Sequence, residues 1–148
     1  MKKLIKSIGL MAFAGLSLVS CSSDDDGFSF SEDQITGQWA YSKQRYAING
    51  VWSEEMDYEG NESATCPDFW QLNADHTTLE RDYWSSECDY YDDTATWSKS
   101  GNTITIADGD LSGSYNVISL SSTSLVIEET YSEEGFTYID QYTFVKAN

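Results

Sequence analysis

The chain has 148 residues, with 8 basic and 25 acidic side chains and a formal net charge of −17. A surface this acidic repels the phosphate backbone, so we exclude nucleic acid as a partner. The length is that of one domain, and the aromatic content of 14% argues against disorder, because acidic disordered chains have few aromatic side chains.

The first 20 residues have the organisation of an export signal. Three lysines lie within the first six residues, and an apolar run follows over residues 8–19. A run of this length is typical of a signal peptide, and it is shorter than the roughly 20 residues that span a bilayer as a helix. We therefore predict a signal peptide over residues 1–20.

The residues Leu18-Val19-Ser20-Cys21 resemble the lipobox of bacterial lipoproteins, in which the cysteine takes the lipid. The resemblance implies cleavage before Cys21 and attachment of three acyl chains, and two or more anchoring signals hold a protein stably at a membrane. The alternative is an ordinary secretory signal with an incidental cysteine, but the abrupt change to polar sequence after Cys21 favours a lipoprotein. The mature chain would carry five basic and 25 acidic residues, a net charge of −20.

The next stretch, residues 21–34, is polar and acidic and predicts a flexible, lipidated tether. Ser22 stands where an Asp would retain a lipoprotein in the inner membrane, and Asp24, Asp25 and Asp26 follow. This pattern resembles the surface-export signal of some Gram-negative lipoproteins. The alternative is a solvated acidic spacer, and the sequence leaves both open. We predict a lipid-anchored protein of the outer membrane, exposed at the cell surface if the acidic run is an export signal.

Two cysteines remain after Cys21. Cys66 and Cys88 form an even pair in a chain destined for an oxidising compartment, which favours one disulfide. The alternative, a metal bound by two thiolates, needs further ligands, and the only histidine is His76. We therefore predict a disulfide between Cys66 and Cys88.

From residue 35 onward the sequence indicates β-structure. Short runs rich in Tyr, Trp, Thr, Ile and Val are separated by turn sequences such as Asn49-Gly50, and alternation such as that of Ile104 and Ile106 indicates strands with one buried face. Tight turns favour an antiparallel meander, and closure into a barrel removes exposed edges. We predict an all-β, up-and-down barrel of about eight to nine strands over residues 35–148. Its strands are expected near residues 37–48, 51–58, 69–72, 77–84, 94–98, 103–107, 112–120, 124–131 and 136–145.

This region resembles the lipocalin-like domains of small bacterial lipoproteins. Ile35-Thr36-Gly37-Gln38-Trp39 resembles their Gly-x-Trp start, and Trp97-Ser98-Lys99-Ser100-Gly101-Asn102-Thr103 is similar to their Trp-x-x-x-Gly-Asn-Thr hairpin. Residues 69–77 look like their second hairpin, with His76 in place of the usual turn glycine, and histidine tolerates the left-handed conformation. The resemblance implies a lipocalin-like barrel and brings no assigned activity.

Five aromatic residues are candidates for the site. The resemblance implies that Trp39 and Trp97 close the barrel floor, and the alternative for both is plain core packing. Trp84, Tyr90 and Tyr91 lie around the predicted disulfide-braced loop. They are candidate ligand-binding residues at a barrel mouth, and the alternative is that this loop is a covering flap.

Catalytic and metal-binding patterns are weak. The single histidine, His76, lies in a predicted turn, and no Gly-x-Ser-x-Gly nucleophile elbow occurs. We predict no enzyme, no cofactor and no metal. Two acidic loops would suit calcium best, but neither fits the EF-hand pattern, and solvated loop charge is the favoured interpretation. These loops contain Asp89, Asp92 and Asp93 in one case and Asp108 and Asp110 in the other.

We therefore predict an anchored barrel that binds a small apolar or aromatic ligand, which enters at the end carrying the Cys66 and Cys88 loops. The opposite end is expected to be closed by Trp39. The alternative is a protein-interaction module without a ligand cavity, such as an anchored inhibitor of a basic protein, for which the net charge of −20 is suitable. An enzyme of unknown type is third. An open apolar cavity would favour the carrier, and a solidly packed interior the module.

Overall fold

The computed structural model describes residues 28–147, so the predicted signal peptide, the lipobox and the acidic run lie outside the described residues. One short helix, α1 (Glu32–Ile35), precedes the strands. Its first turn is fixed by Gln34, whose side-chain oxygen accepts the backbone N–H of Ser31 at 2.8 Å. Within this range no helix is long and apolar enough to cross a bilayer.

Ten strands lie within the described range. They are β1 (Gly37–Ile48), β2 (Val51–Trp52), β3 (Met56–Asp57), β4 (Phe69–Leu72), β5 (Thr77–Tyr83), β6 (Tyr90–Ser100), β7 (Thr103–Ala107), β8 (Gly113–Leu120), β9 (Ser124–Glu133) and β10 (Phe136–Lys146).

The sheet closes on itself, because β1 pairs antiparallel with β10 as well as with β4. From β4 to β10 each strand pairs with the next along the chain, so eight strands form the wall and the two-residue strands β2 and β3 pair with β1. This arrangement confirms the predicted all-β, up-and-down barrel. Every edge of the eight-stranded wall is paired, which removes the aggregation hazard of an open sheet.

The half of the barrel where β1 begins and β10 ends is filled by side chains, and we call this the closed end. Ile35 of α1 is completely buried there, and its carbonyl accepts the indole N–H of Trp39 at 2.6 Å. An apolar layer from the surrounding strands packs against them, each large aliphatic side chain contributing about 1.5–3 kcal/mol on full burial. The layer consists of Leu72, Trp97, Ile104, Leu125 and Phe144.

The predicted residue ranges of two strands are wrong. The run predicted near residues 51–58 is two short strands, β2 and β3. The strand predicted near residues 94–98 is β6, which begins at Tyr90. The acidic start of β6 is part of the sheet because Arg81 on β5 forms two hydrogen bonds with the Asp92 carboxylate, at 2.7 and 2.8 Å.

The predicted disulfide is confirmed. Cys66 and Cys88 are joined, with their Cα atoms 5.8 Å apart. The bond connects the segment before β4 to the loop between β5 and β6. Nearby, the buried Asp68 carboxylate accepts the backbone N–H of Tyr83 at 2.7 Å, and burial raises the pKa of Asp68 to about 6. These contacts fix the loops at the barrel end opposite α1, which we call the open end.

Candidate ligand-binding site at the open end of the barrel

A layer of aromatic rings covers the packed half of the barrel. Alternate residues of the strands face the interior, and the rings that meet there belong to β1, β4, β8 and β10. The ring centroid of Tyr41 lies 4.1 Å from that of Tyr58 and 5.9 Å from that of Tyr142. Trp70 and Tyr115 meet edge to face at 5.0 Å. These five rings form the base of the open end.

Tyr58 reaches this layer from outside the barrel wall. β1 pairs with β4 only across Gly37 to Ala40, and its register with β10 shifts between Tyr41 and Lys43. The segment after β3 covers the resulting gap, because the Tyr58 amide donates to the Ser42 carbonyl at 3.1 Å. The Tyr58 ring then stacks on Tyr41.

The first of two carboxylate pairs lines the wall above this base. Glu80 on β5 lies directly opposite Asp93 on β6. Glu80 is 7% exposed, and the Tyr41 hydroxyl donates to its Oε1 at 3.4 Å. Asp93 accepts the backbone N–H of Asp110 at 2.6 Å. Asp82 follows Glu80 on the same face of β5, so three carboxylates lie on one wall.

The pKa of the Glu80 carboxyl group is well above its usual value. Burial, with a smaller effect of the Asp82 carboxylate, raises the pKa of Glu80 to about 8, while the hydrogen bond from the Tyr41 hydroxyl opposes the rise. Near neutral pH the ligand-free protein therefore keeps a proton on Glu80. A positively charged group beside Glu80 would favour its ionised form.

The second carboxylate pair lies on the opposite wall. Glu129 on β9 is directly opposite Asp140 on β10, and burial together with the Asp140 charge raises the pKa of Glu129. The Glu129 side chain crosses towards β8, where a Cβ on Gly113 would lie 3.0 Å from Glu129 Oε1 and 3.3 Å from the Tyr115 hydroxyl. The absence of a side chain at Gly113 thus leaves room for the Glu129 carboxylate.

Open space adjoins the second wall, beside β1 and β10. A pocket of about 120 Å³ adjoins Asp140 and Tyr142, with Gln44, Arg45 and Tyr46 as its other lining residues. The volume suits one compact chemical group. It is smaller than the 300–1,000 Å³ typical of a pocket that encloses a whole drug-sized ligand.

Two buried polar atoms at the base lack a partner within the described part of the chain. They are the hydroxyl of Thr78 and the indole nitrogen of Trp70. Thr78 is 3% exposed and lies directly opposite Leu72 and Ala95, so its side chain faces the barrel interior two residues below Glu80. Trp70 is likewise directly opposite Glu80.

The predicted floor residues lie at the closed end. Trp39 is completely buried, and Trp97 is nearly so. The Trp97 indole N–H donates to the Asn73 carbonyl at 2.9 Å, and the His76 ring packs on Trp97 with centroids 5.1 Å apart. His76 has a φ of +65°, in the left-handed conformation expected for it. Trp97 lies four residues from Asp93 along β6, and Trp39 is directly opposite Trp70 of the aromatic base.

The three predicted mouth residues do not form one cluster. Trp84 is 63% exposed in the loop after β5. Tyr90 and Tyr91 are consecutive in β6 and therefore face opposite sides of the wall. The Tyr90 ring lies outside, 3.7 Å from the Arg81 guanidinium carbon. Tyr91 faces the interior beside Asp82, and its hydroxyl donates to Asp110 at 3.3 Å.

Three carboxylates that the sequence analysis considered as calcium ligands already bind other groups of the protein. Asp92 binds Arg81, Asp93 binds the backbone of Asp110, and Asp89 accepts the hydroxyl of Ser85 at 3.0 Å. Across residues 28–147, no three His, Cys, Asp or Glu side chains converge closely enough to hold a metal ion.

The sequence interpretation missed the carboxylates Glu80 and Glu129. One signal was present in the last strand, where Asp140 shares a face with Tyr138 and Tyr142. A carboxylate among aromatic residues on an inward face indicates a polar interior. The same inspection of β9 would have placed Glu129 on the face of Ile127.

Comparison with known proteins relates the chain to one fold family. A structure of bovine odorant binding protein with its natural ligand is 16% identical and covers 82% of this chain and 76% of its own, with a TM-score of 0.45. The same protein with a selenium-containing odorant is 16% identical over 82% and 75%, at 0.47. No curated protein matches. A family model described as a lipocalin-like domain matches residues 35–127.

Proposed function

Because the chain belongs to the lipocalin-like domain family, we propose that it is a binding protein that holds a small molecule at the open end of its barrel. The observation that carries the proposal is the division of the interior. Packed side chains fill the closed end, whereas the open end has an aromatic base, two carboxylate pairs and a pocket of about 120 Å³. Eight-stranded barrels have interiors of the size that holds side chains or one small ligand.

The composition of this space changes the expected ligand. The sequence predicted an apolar or aromatic molecule, and the base supplies aromatic faces for one. The walls add Glu80, Asp93, Glu129 and Asp140, which a wholly apolar molecule would leave without a partner. A ligand with an apolar body and a polar head fits both surfaces.

A second candidate is a module that binds a basic protein. The packed closed end and the mature net charge of −20 favour it, since an acidic surface attracts basic partners. In that case an arginine or lysine side chain of the partner would enter the open end.

We also propose that the domain is anchored to the outer membrane through lipid on Cys21. The support is the lipobox-like sequence and the preceding apolar run. Cys21→Ala should abolish acylation and release the full chain from the membrane fraction. Partitioning that persists after a salt wash would contradict the anchor. For surface exposure, Asp24, Asp25 and Asp26 changed together to Ala should reduce cleavage by protease added to intact cells.

Native mass spectrometry tests the binding role. The full chain carrying Cys21→Ala, purified from its own host without denaturant, should retain a small molecule of defined mass. The matched control is the same chain unfolded in urea and refolded, which should be lighter by that mass. In parallel, the fluorescent apolar amine N-phenyl-1-naphthylamine should bind with one site per chain. Absence of both the retained mass and the probe binding would reject small-molecule binding and leave the protein-binding candidate.

A further inference from the structure

We propose that the ligand is an organic cation, with an amine or quaternary ammonium head between the two carboxylate pairs and an apolar or aromatic body. This inference rests on the proposed function and gives the chemical class of the molecule bound at the open end. It follows from four independent features of the site.

The first feature is the placement of the carboxylates. Glu80 lies opposite Asp93, and Glu129 lies opposite Asp140. Like charges directly opposite on adjacent strands destabilise a sheet, and in the first pair the proton that Glu80 keeps near neutral pH avoids that repulsion. The two pairs belong to β5–β6 and to β9–β10, which face each other across the barrel. A cation between them would interact favourably with both walls at once.

The second feature is the lack of an internal counter-ion in the described part of the chain. Residues 28–147 contain five Lys and Arg side chains, and each contacts a group outside the carboxylate pairs. Lys43 pairs with Asp57, Arg45 donates to Gln141, Arg81 pairs with Asp92, Lys99 lies over Phe30, and Lys146 donates to the Thr36 carbonyl.

The third feature is the aromatic base. Ring faces attract cations within about 6 Å of the centroid. Tyr41, Tyr115 and Tyr142 lie within the layer below the carboxylates, and the charges of Glu80 and Glu129 both act on the Tyr115 hydroxyl. An ammonium group beside the carboxylates would therefore have aromatic rings beneath it, and an apolar substituent could lie along them.

The fourth feature is the unsatisfied polar atom beneath the carboxylates. Thr78 is 3% exposed, and its hydroxyl has no partner among the described residues. It faces the interior on the same strand face as Glu80. Buried hydroxyl groups in native proteins nearly always have a partner, so this atom indicates that the occupied site contains a further hydrogen-bonding group. An ammonium N–H or a polar substituent of the ligand would supply it.

The size of the space agrees with a molecular head group. The pocket at Asp140 and Tyr142 has a volume of about 120 Å³, enough for an ammonium or trimethylammonium group. It is lined by Arg45 as well, but the Arg45 guanidinium lies 4.3 Å over the Trp52 ring and donates to Gln141 at 2.7 Å. That contact keeps its charge on the outer face of the wall.

Matched pairs of cations and neutral isosteres test the inference. Binding to the full chain carrying Cys21→Ala is measured by calorimetry for phenyltrimethylammonium and tert-butylbenzene, and for tyramine and 4-ethylphenol. We expect at least one cation to bind ten times more tightly than its isostere. If both isosteres bind as tightly as their cations, the inference is overturned while small-molecule binding stands, and binding of N-phenyl-1-naphthylamine without cation binding has the same meaning. If neither these compounds nor N-phenyl-1-naphthylamine binds and no mass is retained, both are rejected.

A charge-matched pair of variants locates the site. Glu129→Gln with Asp140→Asn removes one inward pair, and Glu128→Gln with Glu55→Gln removes two charges from outside the barrel. We expect the first variant to lose at least tenfold in cation affinity and the second less than twofold. Equal losses would show that net charge alone attracts the cation and would overturn the site. If the first variant fails to fold, Asp140→Asn alone is measured against Glu128→Gln alone.

Discussion

Glu129 on β9 lies directly opposite Asp140 on β10, with both carboxylates facing the barrel interior. Each strand could place a polar uncharged residue there without loss of the ladder hydrogen bonds. The neighbouring position on the outer face pairs a carboxylate with a neutral amide, since Glu128 accepts a hydrogen bond from the Gln141 side chain at 2.6 Å. The inward pair has no such neutral member. We therefore expect the two carboxylates to lower the stability of the ligand-free protein while favouring the binding of a cation.

That conflict gives the first prediction. Glu129→Gln should raise the free energy of unfolding by about 0.5–1 kcal/mol, because it relieves repulsion between opposed like charges. Glu128→Gln is the control on the same strand, and it should leave stability unchanged or lower it. Urea unfolding at neutral pH measures both. A loss of stability in Glu129→Gln would mean that the inward pair is satisfied within the protein.

The second prediction concerns pH. Burial raises the pKa of Glu80 to about 8 from the usual 4.5, so the folded protein prefers its protonated form. The resulting stability is fully present below pH 4.5 and is lost as the pH rises to 8. Since one pKa unit corresponds to 1.36 kcal/mol, the loss is about 3–5 kcal/mol.

Glu80→Gln should remove that part of the pH dependence and make the protein more stable than the parent at pH 9. The groups that face Glu80 in the parent are Tyr41, Tyr58, Asp82, Asp93 and Tyr115. A slope below pH 6 should remain in the variant, because Asp68 also has a raised pKa. Urea unfolding at pH 5, 7 and 9 tests this, with Glu55→Gln as the exposed control. Parallel curves for Glu80→Gln and the parent would refute it.

Much of the fold could be predicted from the sequence, because the strands of the closed end alternate strictly. Ile104 and Ile106 are buried, while Thr105 between them is exposed. The turns that join the strands have their own local signals, such as Asn49-Gly50 with positive φ at both residues. Closure of the barrel could be predicted because an open sheet would expose unpaired edge strands, and β1 does pair with β10.

The open end could not be predicted in the same way, because its inward residues are polar. In β5 the only aliphatic residue is Leu79, and period-two analysis would place it inside. The register shows the opposite, since Thr78 lies opposite the buried Leu72 and Glu80 opposite the buried Trp70. Which face of such a strand points into the barrel is decided by the strands that pair with it. The sequence of the strand alone does not reveal those partners.

The third prediction separates Tyr90 from Tyr91. Tyr90→Ala should lower stability by about 0.5–1 kcal/mol, because it removes the ring under the Arg81 guanidinium. Tyr91→Ala should change stability less, since its ring is half exposed and its hydroxyl donates to the exposed Asp110 carboxylate. Binding of phenyltrimethylammonium should respond in the opposite order. Equal effects of the two variants on both measurements would show that the two rings share one role.

The fourth prediction concerns the Cys66–Cys88 disulfide, which closes a loop of 22 residues. Changing both cysteines to Ala should lower the free energy of unfolding by about 3 kcal/mol, as chain entropy predicts for a loop of this size. The ladder of β9 with β10 is remote from the bond and should keep its slow amide exchange. Loss of protection throughout the barrel would mean that the disulfide is required for folding of the whole sheet.

The last prediction concerns Thr78, whose hydroxyl is buried without a partner. Thr78→Val keeps nearly the same shape and removes the unsatisfied group, so the ligand-free protein should gain about 1 kcal/mol of stability. If the hydroxyl binds the cationic ligand, the same change should weaken binding of that cation about fivefold to tenfold. Thr94→Val, on the outer face of β6 opposite Leu79, is the control and should affect neither quantity. The paired measurement is urea unfolding without ligand and calorimetry with tyramine, whose ammonium group has N–H donors. A stabilised Thr78→Val that keeps full affinity would show that the hydroxyl takes no part in the bound complex. A destabilised variant would show instead that the hydroxyl already has a partner in the protein, such as a buried water.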